Sequence, residues 1–289
     1  MIYLNPMSLQ IASLNSGSNA NCYYVGNNNE AILIDAGLSC RETEKRMKDR
    51  GLEMEKIKAI FITHEHADHI SGLTGLSRKF KLPVYITDST MRNCPTPVEQ
   101  DQRCSFAHAK SVSIGGLTIL PFTKSHDADD PHSFVVSNNG VNVGIITDIG
   151  FPCKQVLHFF SQCHAVFLES NYCADMLANG HYPYHLQKRI SSDRGHLSNA
   201  QALALFTQYR SPLLRLLILS HLSKNNNRPE LVQNMFEPHA RETQIFVASR
   251  YEASPVFDVN GTPHVLRLLN KPAVARVQKK KDERQMSLF

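Results

Sequence analysis

Residues 64–69 read His64-Glu65-His66-Ala67-Asp68-His69, an H-x-H-x-D-H spacing placed directly after the apolar run Ala59-Ile60-Phe61-Ile62. Imidazole and carboxylate are the ligands that borderline divalent metals such as zinc or manganese accept. The apolar run reads as a buried strand. Just past its end, residues two apart point the same way, so His64 and His66 can grip one ion together. Asp68 and His69 follow and would face a second ion. Asp68 also stands where it could cap a helix expected over Ile70 to Phe80. A lone histidine is more often structural. Three histidines and an aspartate within six residues at a strand end make a metal site the better reading.

Such a site needs a rigid frame. Strands are expected at Leu9 to Leu14, Cys22 to Val25, Ala31 to Ile34, Lys58 to Ile62, Val84 to Ile86, Leu117 to Phe122, Ser133 to Val136, Val141 to Thr147, Ala165 to Leu168, Leu213 to Leu219, Gln244 to Ala248 and His264 to Leu268. Helices are expected at Ser39 to Arg50, Cys153 to Phe160 and Pro229 to Ala240, and through most of 170–210. Residues 93–110, with Pro95 and Pro97, read as a surface excursion. The polar turn Ser16-Gly17-Ser18-Asn19-Ala20-Asn21 is either a hairpin connection or a loop that contacts an anion. Several strands empty into a possible ligand: Phe122 leads to His126, Thr147 to Asp148, Leu219 to His221, and Ile34 to Asp35. Singly, each reads as a structural histidine or a turn aspartate. Their recurrence in order after H-x-H-x-D-H raises each to a ligand candidate, since a sheet preorganises what its strand ends carry.

The order His64-x-His66-x-Asp68-His69, His126, Asp148, His221 resembles the metallo-β-lactamase fold. That resemblance implies an α/β protein, a four-layer αββα sandwich with a two-metal site along one edge of the paired sheets. It places His64, His66 and His126 on the first ion and Asp68, His69 and His221 on the second. Asp148 bridges them, and Asp68 also serves as a catalytic carboxylate. No cysteine fills a ligand position, as in the binuclear hydrolase branch. Further strings, among them Leu33-Ile34-Asp35-Ala36-Gly37, Phe167-Leu168-Glu169-Ser170-Asn171 and Gly195-His196-Leu197-Ser198-Asn199, are similar to the YycJ/WalJ-type exonucleases over roughly residues 8–260. The likeness implies a metal-dependent nuclease acting on DNA from a 5′ end. Two positions depart from that pattern. Ala20 stands where a glycine is expected, and Cys173 where an acidic residue is expected.

Two adjacent divalent ions lower the pKa of a bridging water towards neutrality and neutralise charge on a phosphorus under attack. A proton for the leaving oxygen and a donor to the phosphate remain to be supplied. His196 is the candidate for both. Related phosphodiesterases of the fold carry a similar histidine before their last ligand. Asp35 and Glu169 are expected to support the ligand loops by hydrogen bonds. Ser16, Asn171, Arg189, Arg194 and Ser198 are candidate substrate contacts, the arginines because guanidinium matches phosphate in bidentate fashion.

Composition bounds the rest. The chain has 289 residues, 42% hydrophobic and 20% charged, and no window of membrane-spanning length or secretory pattern. Seven scattered cysteines suit reduced thiols in a cytoplasm. The net charge of +5 is mostly at one end: six of 31 basic and two of 26 acidic residues lie in 271–289, leaving 1–270 close to neutral. A catalytic domain over 1–270 is therefore expected, followed by a basic, disordered tail. The tail ends Gln285-Met286-Ser287-Leu288-Phe289, similar to the peptides that attach bacterial DNA-processing proteins to the sliding clamp. Gln285, Leu288 and Phe289 would make that contact. Two rival readings are a thioester or lactone hydrolase of the same fold and a non-catalytic clamp or DNA adaptor.

Overall fold

The computed structural model describes residues 8–261. The strand expected at His264 to Leu268, the basic tail and the clamp-like peptide lie outside them.

In chain order the elements are β1 (Leu9–Asn15), β2 (Cys22–Gly26), β3 (Ala31–Ile34), α1 (Cys40–Asp49), β4 (Ile57–Phe61), α2 (Ala67–Ile70), α3 (Leu73–Phe80), β5 (Val84–Tyr85), α4 (Asp88–Asn93), β6 (Arg103–Cys104), β7 (Val112–Ile114) and β8 (Leu117–Thr123). There follow β9 (His132–Asn138), β10 (Val141–Ile146), α5 (Lys154–Phe160), β11 (Ala165–Glu169), α6 (Ala174–Ala178), α7 (Tyr184–Ile190), α8 (Asn199–Tyr209), β12 (Leu216–Ser220), α9 (Pro229–Phe236), β13 (Gln244–Val247) and β14 (Phe257–Val259). They form two seven-stranded sheets, ordered β14-β1-β2-β3-β4-β5-β6 and β13-β12-β11-β10-β9-β8-β7.

The near-continuous apolar runs have a physical cause: their strands are covered on both faces. In β11, Ala165 and Phe167 enter the core between the sheets, while Val166 and Leu168 face the other way. In β3, Ile32 and Ile34 point inward, whereas Ala31 and Leu33 meet Met47 of α1 and Leu73 and Leu76 of α3. Helices α5, α8 and α9 cover the outer face of the second sheet through Phe159, Phe206 and Phe236. The result is the αββα sandwich that the sequence suggests.

The structure departs from expectation in several places. Strands β6, β7 and β14 are not among those expected. Residues 93–110, read as a surface excursion, add β6 to the first sheet and bury Phe106 in the core between the sheets. The helix expected over Ile70 to Phe80 is broken into α2 and α3, because Gly72 packs backbone to backbone on the segment after β3. A Cβ there would lie 1.7 Å from Leu38 O, and Gly72 N donates to Ala36 O. Asp68 therefore caps neither helix: it lies within α2, and Gly72 is the cap residue of α3. Strand β12 begins at Leu216, not Leu213, since Leu214 N donates to Ser211 O in a turn.

Strands β3, β4 and β5 run parallel, as do β10, β11, β12 and β13. Strand β8 shares the direction of β10, being antiparallel to β9. The segments leaving β3, β4, β8, β10 and β12 carry Asp35, His64, His126, Asp148 and His221 respectively, and Glu169 is the last residue of β11. Among the described residues, no helix is long and apolar enough to cross a membrane.

Candidate metal centre

Left-handed backbone turns three of these side chains inward. Asp35 and His221, immediately after β3 and β12, have φ of +63° and +57°, and Asp148, two residues after β10, has φ of +55°. Such conformations cost about 1–3 kcal/mol each in non-glycine residues and persist where the surroundings over-determine them. Here the sheets do so.

Three imidazole nitrogens then converge. His64 Nε2 lies 3.0 Å from His66 Nδ1, and His126 Nε2 lies 3.3 Å from the same atom. The opposite nitrogens of two rings have partners that fix them as donors. His126 Nδ1 donates to Gly195 O at 3.0 Å. His64 Nδ1 donates to Thr63 Oγ1 at 2.8 Å, and that hydroxyl donates in turn to Asp35. Burial holds His64 well below its ordinary pKa, lowers His66, and takes His126 down to about 3. The rings are thus neutral, and their lone pairs face one another. A cation relieves that repulsion, so the group fits a metal ion.

Beside it, Asp68 Oδ2 lies 3.4 Å from His69 Nε2 and 3.5 Å from His221 Nε2. His69 Nδ1 donates to Asp35 Oδ2 at 2.7 Å, and His221 Nδ1 sits 3.0 Å from both Asp148 Oδ1 and Glu169 Oε1. These bonds leave both Nε2 atoms turned towards Asp68. His221 Nε2 and Asp148 Oδ2 are buried without a hydrogen bond, an arrangement that costs free energy unless another group satisfies it. Asp148 also gathers with His64 and His69, so it touches both clusters. The donor chemistry, three imidazoles on one side and two imidazoles with two carboxylates on the other, suits divalent ions.

The electrostatics of the second cluster are opposite to the first. Burial alone would lower His69, but Asp35, Asp148 and Asp68 outweigh it and raise that imidazole well above its ordinary pKa. The same contest, decided by Asp148, Asp68 and Glu169, raises His221. Burial would raise the carboxylates, yet His221 and His69 hold Asp148 well below the usual range, and His69 and His221 lower Asp68.

Glu169 is fully buried and fully used. Its Oε1 accepts from His196 Nδ1 at 2.8 Å and His221 Nδ1, while Oε2 accepts from the backbone N–H groups of Ile149 and Leu197. Burial would raise its pKa, but the histidines hold it down to about 2. His196 stands over the cluster, its ring centroid 5.2 Å from both His126 and His221, with its side chain 23% exposed.

The remaining candidates are not all free. Asn171 Nδ2 donates to His221 O at 2.8 Å, and Ser16 Oγ accepts from His221 N at 2.7 Å. Ser198 is the N-cap of α8, in a capping box with Gln201. Arg189 pairs with Asp127 at 2.5 Å, and Arg194 donates to His126 O. Sequence reasoning passed over Asn21, whose Nδ2 meets Asp68 Oδ2 at 3.0 Å and His69 Nε2 at 3.1 Å, and over Lys124, buried with Nζ on Thr147 O. A polar residue in the Ser16–Asn21 turn was the available signal for Asn21. Nothing in the sequence marks Lys124 beyond its place two residues before His126.

Paired sheets with a ligand-rich edge of this kind define a metal-dependent hydrolase of the metallo-β-lactamase fold. The β-lactamase superfamily domain matches residues 30–222, and the chain belongs to that superfamily. It is 33% identical to exodeoxyribonuclease YycJ of Bacillus anthracis over 85% of this chain and 94% of that one. It is 29% identical to exodeoxyribonuclease WalJ of Streptococcus pneumoniae over 79% of this chain and 87% of that one. Among solved structures, it resembles the metallo-β-lactamase fold protein YhfI of Bacillus subtilis with a TM-score of 0.68. The identity there is 15%, covering 87% of this chain and 99% of that one.

Proposed function

We propose that this protein is a binuclear metal-dependent DNA exonuclease, directed to 5′ ends and used in DNA repair or replication. The observation that carries the reading is the pair of adjoining ligand clusters, three histidines beside Asp68, His69 and His221, joined at Asp148. Likeness to two exodeoxyribonucleases over most of their length supplies the substrate class. His64, His66 and His126 would hold one zinc or manganese ion, Asp68, His69 and His221 the other, and Asp148 both. The ions supply Lewis acidity that acidifies water and neutralises charge on the phosphodiester.

The chain's own residues do the rest. Asp35 orients His69 directly and His64 through Thr63, so one carboxylate sets rings in both clusters. Asp68 is 21% exposed on its side chain, against 2% or less for Asp35, Asp148 and Glu169. It is the carboxylate open to the nucleophile's proton. Glu169 accepts the Nδ1 proton of His196 and so leaves Nε2 for the phosphate. There the doubly protonated ring would donate to a non-bridging oxygen or pass its Nε2 proton to the leaving oxygen, reverting to the neutral Nδ1–H form. Seven free cysteines support a reducing, cytoplasmic setting. The catalytic domain is taken as 1–270. The clamp reading of Gln285, Leu288 and Phe289 rests on their sequence alone.

The ions compete with protons at the second cluster. A raised imidazole stabilises the metal-free fold below its ordinary pKa of 6.5, and that contribution is lost as pH rises through the raised value. Glu169 acts in the other direction, contributing above its ordinary 4.5 and losing its contribution as pH falls towards about 2. The surrounding carboxylates therefore favour the protonated forms of His69 and His221 in the metal-free protein. Zinc binding is expected to release protons from both, and affinity to weaken as pH falls. Calorimetric titration in buffers of different ionisation enthalpy reads the release directly; its absence would mean that these rings are not ligands.

The assay for the function itself is incubation of chelated protein, with and without manganese or zinc, on end-labelled duplex DNA and on a small thioester. Metal-dependent loss of DNA from the 5′ end is expected. Thioester turnover without DNA loss would point to the rival hydrolase.

A further inference from the structure

A cavity of about 320 Å³ opens beside His221, between the ends of β12 and β13 and the Ser16–Asn21 turn. Its walls are apolar at Leu222, Val247 and Ala248 and cationic at Lys224 and Arg250. Tyr251, 71% exposed, lies at the same cavity. The wall is tied to the metal centre through Ser16, whose Oγ accepts from His221 N and whose N donates to Ser249 O.

Neither Lys224 nor Arg250 pairs with a carboxylate among the described residues. Arg250 Nη2 donates to Ser18 Oγ and Asn19 Oδ1, both at 3.1 Å, while Nη1 is buried and makes no hydrogen bond. The turn is shaped around this arginine. Gly17 has φ of +153°, and a Cβ there would press on Arg250 Cβ at 3.1 Å. With no carboxylate beside it, this guanidinium leaves its positive charge uncompensated at the cavity wall, which favours an anion there. Apolar walls and an exposed aromatic ring suit a base and sugar. The volume falls at the lower end of the ~300–1,000 Å³ of small-ligand sites. A second cavity, of about 620 Å³, continues from Lys224 and Asn227 to Arg228, His181 and Tyr182.

We propose that the cavity beside His221 is a nucleotide subsite, which holds one nucleoside of the strand flanking the scissile bond and sets its phosphate on Lys224 and Arg250. This assignment rests on the nuclease reading and locates the path of the strand. The phosphate enters with its charge met by side chains that bear no part in the metal clusters, and the base lies against Leu222, Val247 and Tyr251.

The test uses metal-loaded protein and three variants, Arg250→Ala, Lys224→Ala and Tyr251→Ala. Binding of dTMP and of inorganic phosphate is measured by calorimetry. Turnover is measured on an oligonucleotide and on bis(4-nitrophenyl) phosphate, a diester without a nucleoside. Arg250→Ala and Lys224→Ala should each weaken dTMP at least ten-fold. They should also lower kcat/KM on the oligonucleotide at least ten-fold more than on the small diester. Tyr251→Ala should weaken dTMP and spare inorganic phosphate. Arg250→Lys, which keeps the charge without the fork, should fall between wild type and Arg250→Ala, and it serves if the alanine variant does not fold. Equal losses on both substrates, or dTMP affinity indifferent to all three changes, would overturn the subsite. Wild-type protein that leaves DNA intact while its dTMP affinity still depends on Arg250 would remove the nuclease reading and keep the subsite.

Discussion

Asp148→Asn is expected to lower DNA hydrolysis by about 10³-fold or more, the scale of losing about 4 kcal/mol of transition-state stabilisation. The side chain is isosteric, so packing is not the cause. Asp148 is buried, reaches His221 Nδ1 at 3.0 Å, and gathers with His64 and His69 between the two clusters. Removing its charge takes away one of the carboxylates that hold His69 and His221 above their ordinary pKa against burial. Those imidazoles should then titrate at lower pH, and metal that Asp148 helps to hold should be lost. Plasma emission on dialysed protein should show fewer metal ions per chain than wild type. A variant with full metal content and full turnover would remove Asp148 from the centre. His66→Ala should fail in the same way, because His66 Nδ1 is the atom on which the three-histidine group converges.

His196→Ala has the next largest expected effect, about 10²–10⁴-fold in kcat. Its signature differs from that of a ligand. His196 stands over both clusters, but its Nδ1 is engaged by Glu169. Metal content should therefore be retained. If Nε2 protonates the leaving oxygen, the loss should be large on DNA and much smaller on a diester whose leaving group is a nitrophenolate, which needs no proton. Glu169→Gln should also weaken turnover on DNA, and because Glu169 Oε1 accepts from His221 Nδ1 as well as from His196 Nδ1, it should lower metal content in addition. Equal losses on both substrates in His196→Ala would assign His196 to phosphate binding alone, and loss of metal in that variant would make it a ligand.

How much of this was legible in the sequence depends on how far apart the cooperating residues lie. His64, His66, Asp68 and His69 are contiguous, so their spacing alone declared the chemistry. His126, Asp148 and His221 are separate residues, and each became a candidate only through its place after a strand and its order in the chain. The sandwich was readable because strands such as β11 are apolar on both faces, which only cover on both sides permits. What escaped depends on meetings between distant segments. Asn21 reaches Asp68 across 47 positions of sequence, and the break between α2 and α3 comes from the approach of Gly72 to the segment after β3. Lys124 is a buried cation whose Nζ rests on Thr147 O in another strand's exit. Arg189, which looked like a phosphate ligand, is paired with Asp127. Arg250, at the far end of the described chain, drew no attention because nothing near it in sequence resembles a site.

The central claim is that two ions act together in one centre on a phosphodiester. Chelated protein titrated with manganese or zinc, with bound metal and DNA turnover read on the same samples, tests it most directly. Turnover should stay low through the first equivalent per chain and rise with the second, reaching its plateau at two. Full turnover at one equivalent, or none at two, would contradict the account.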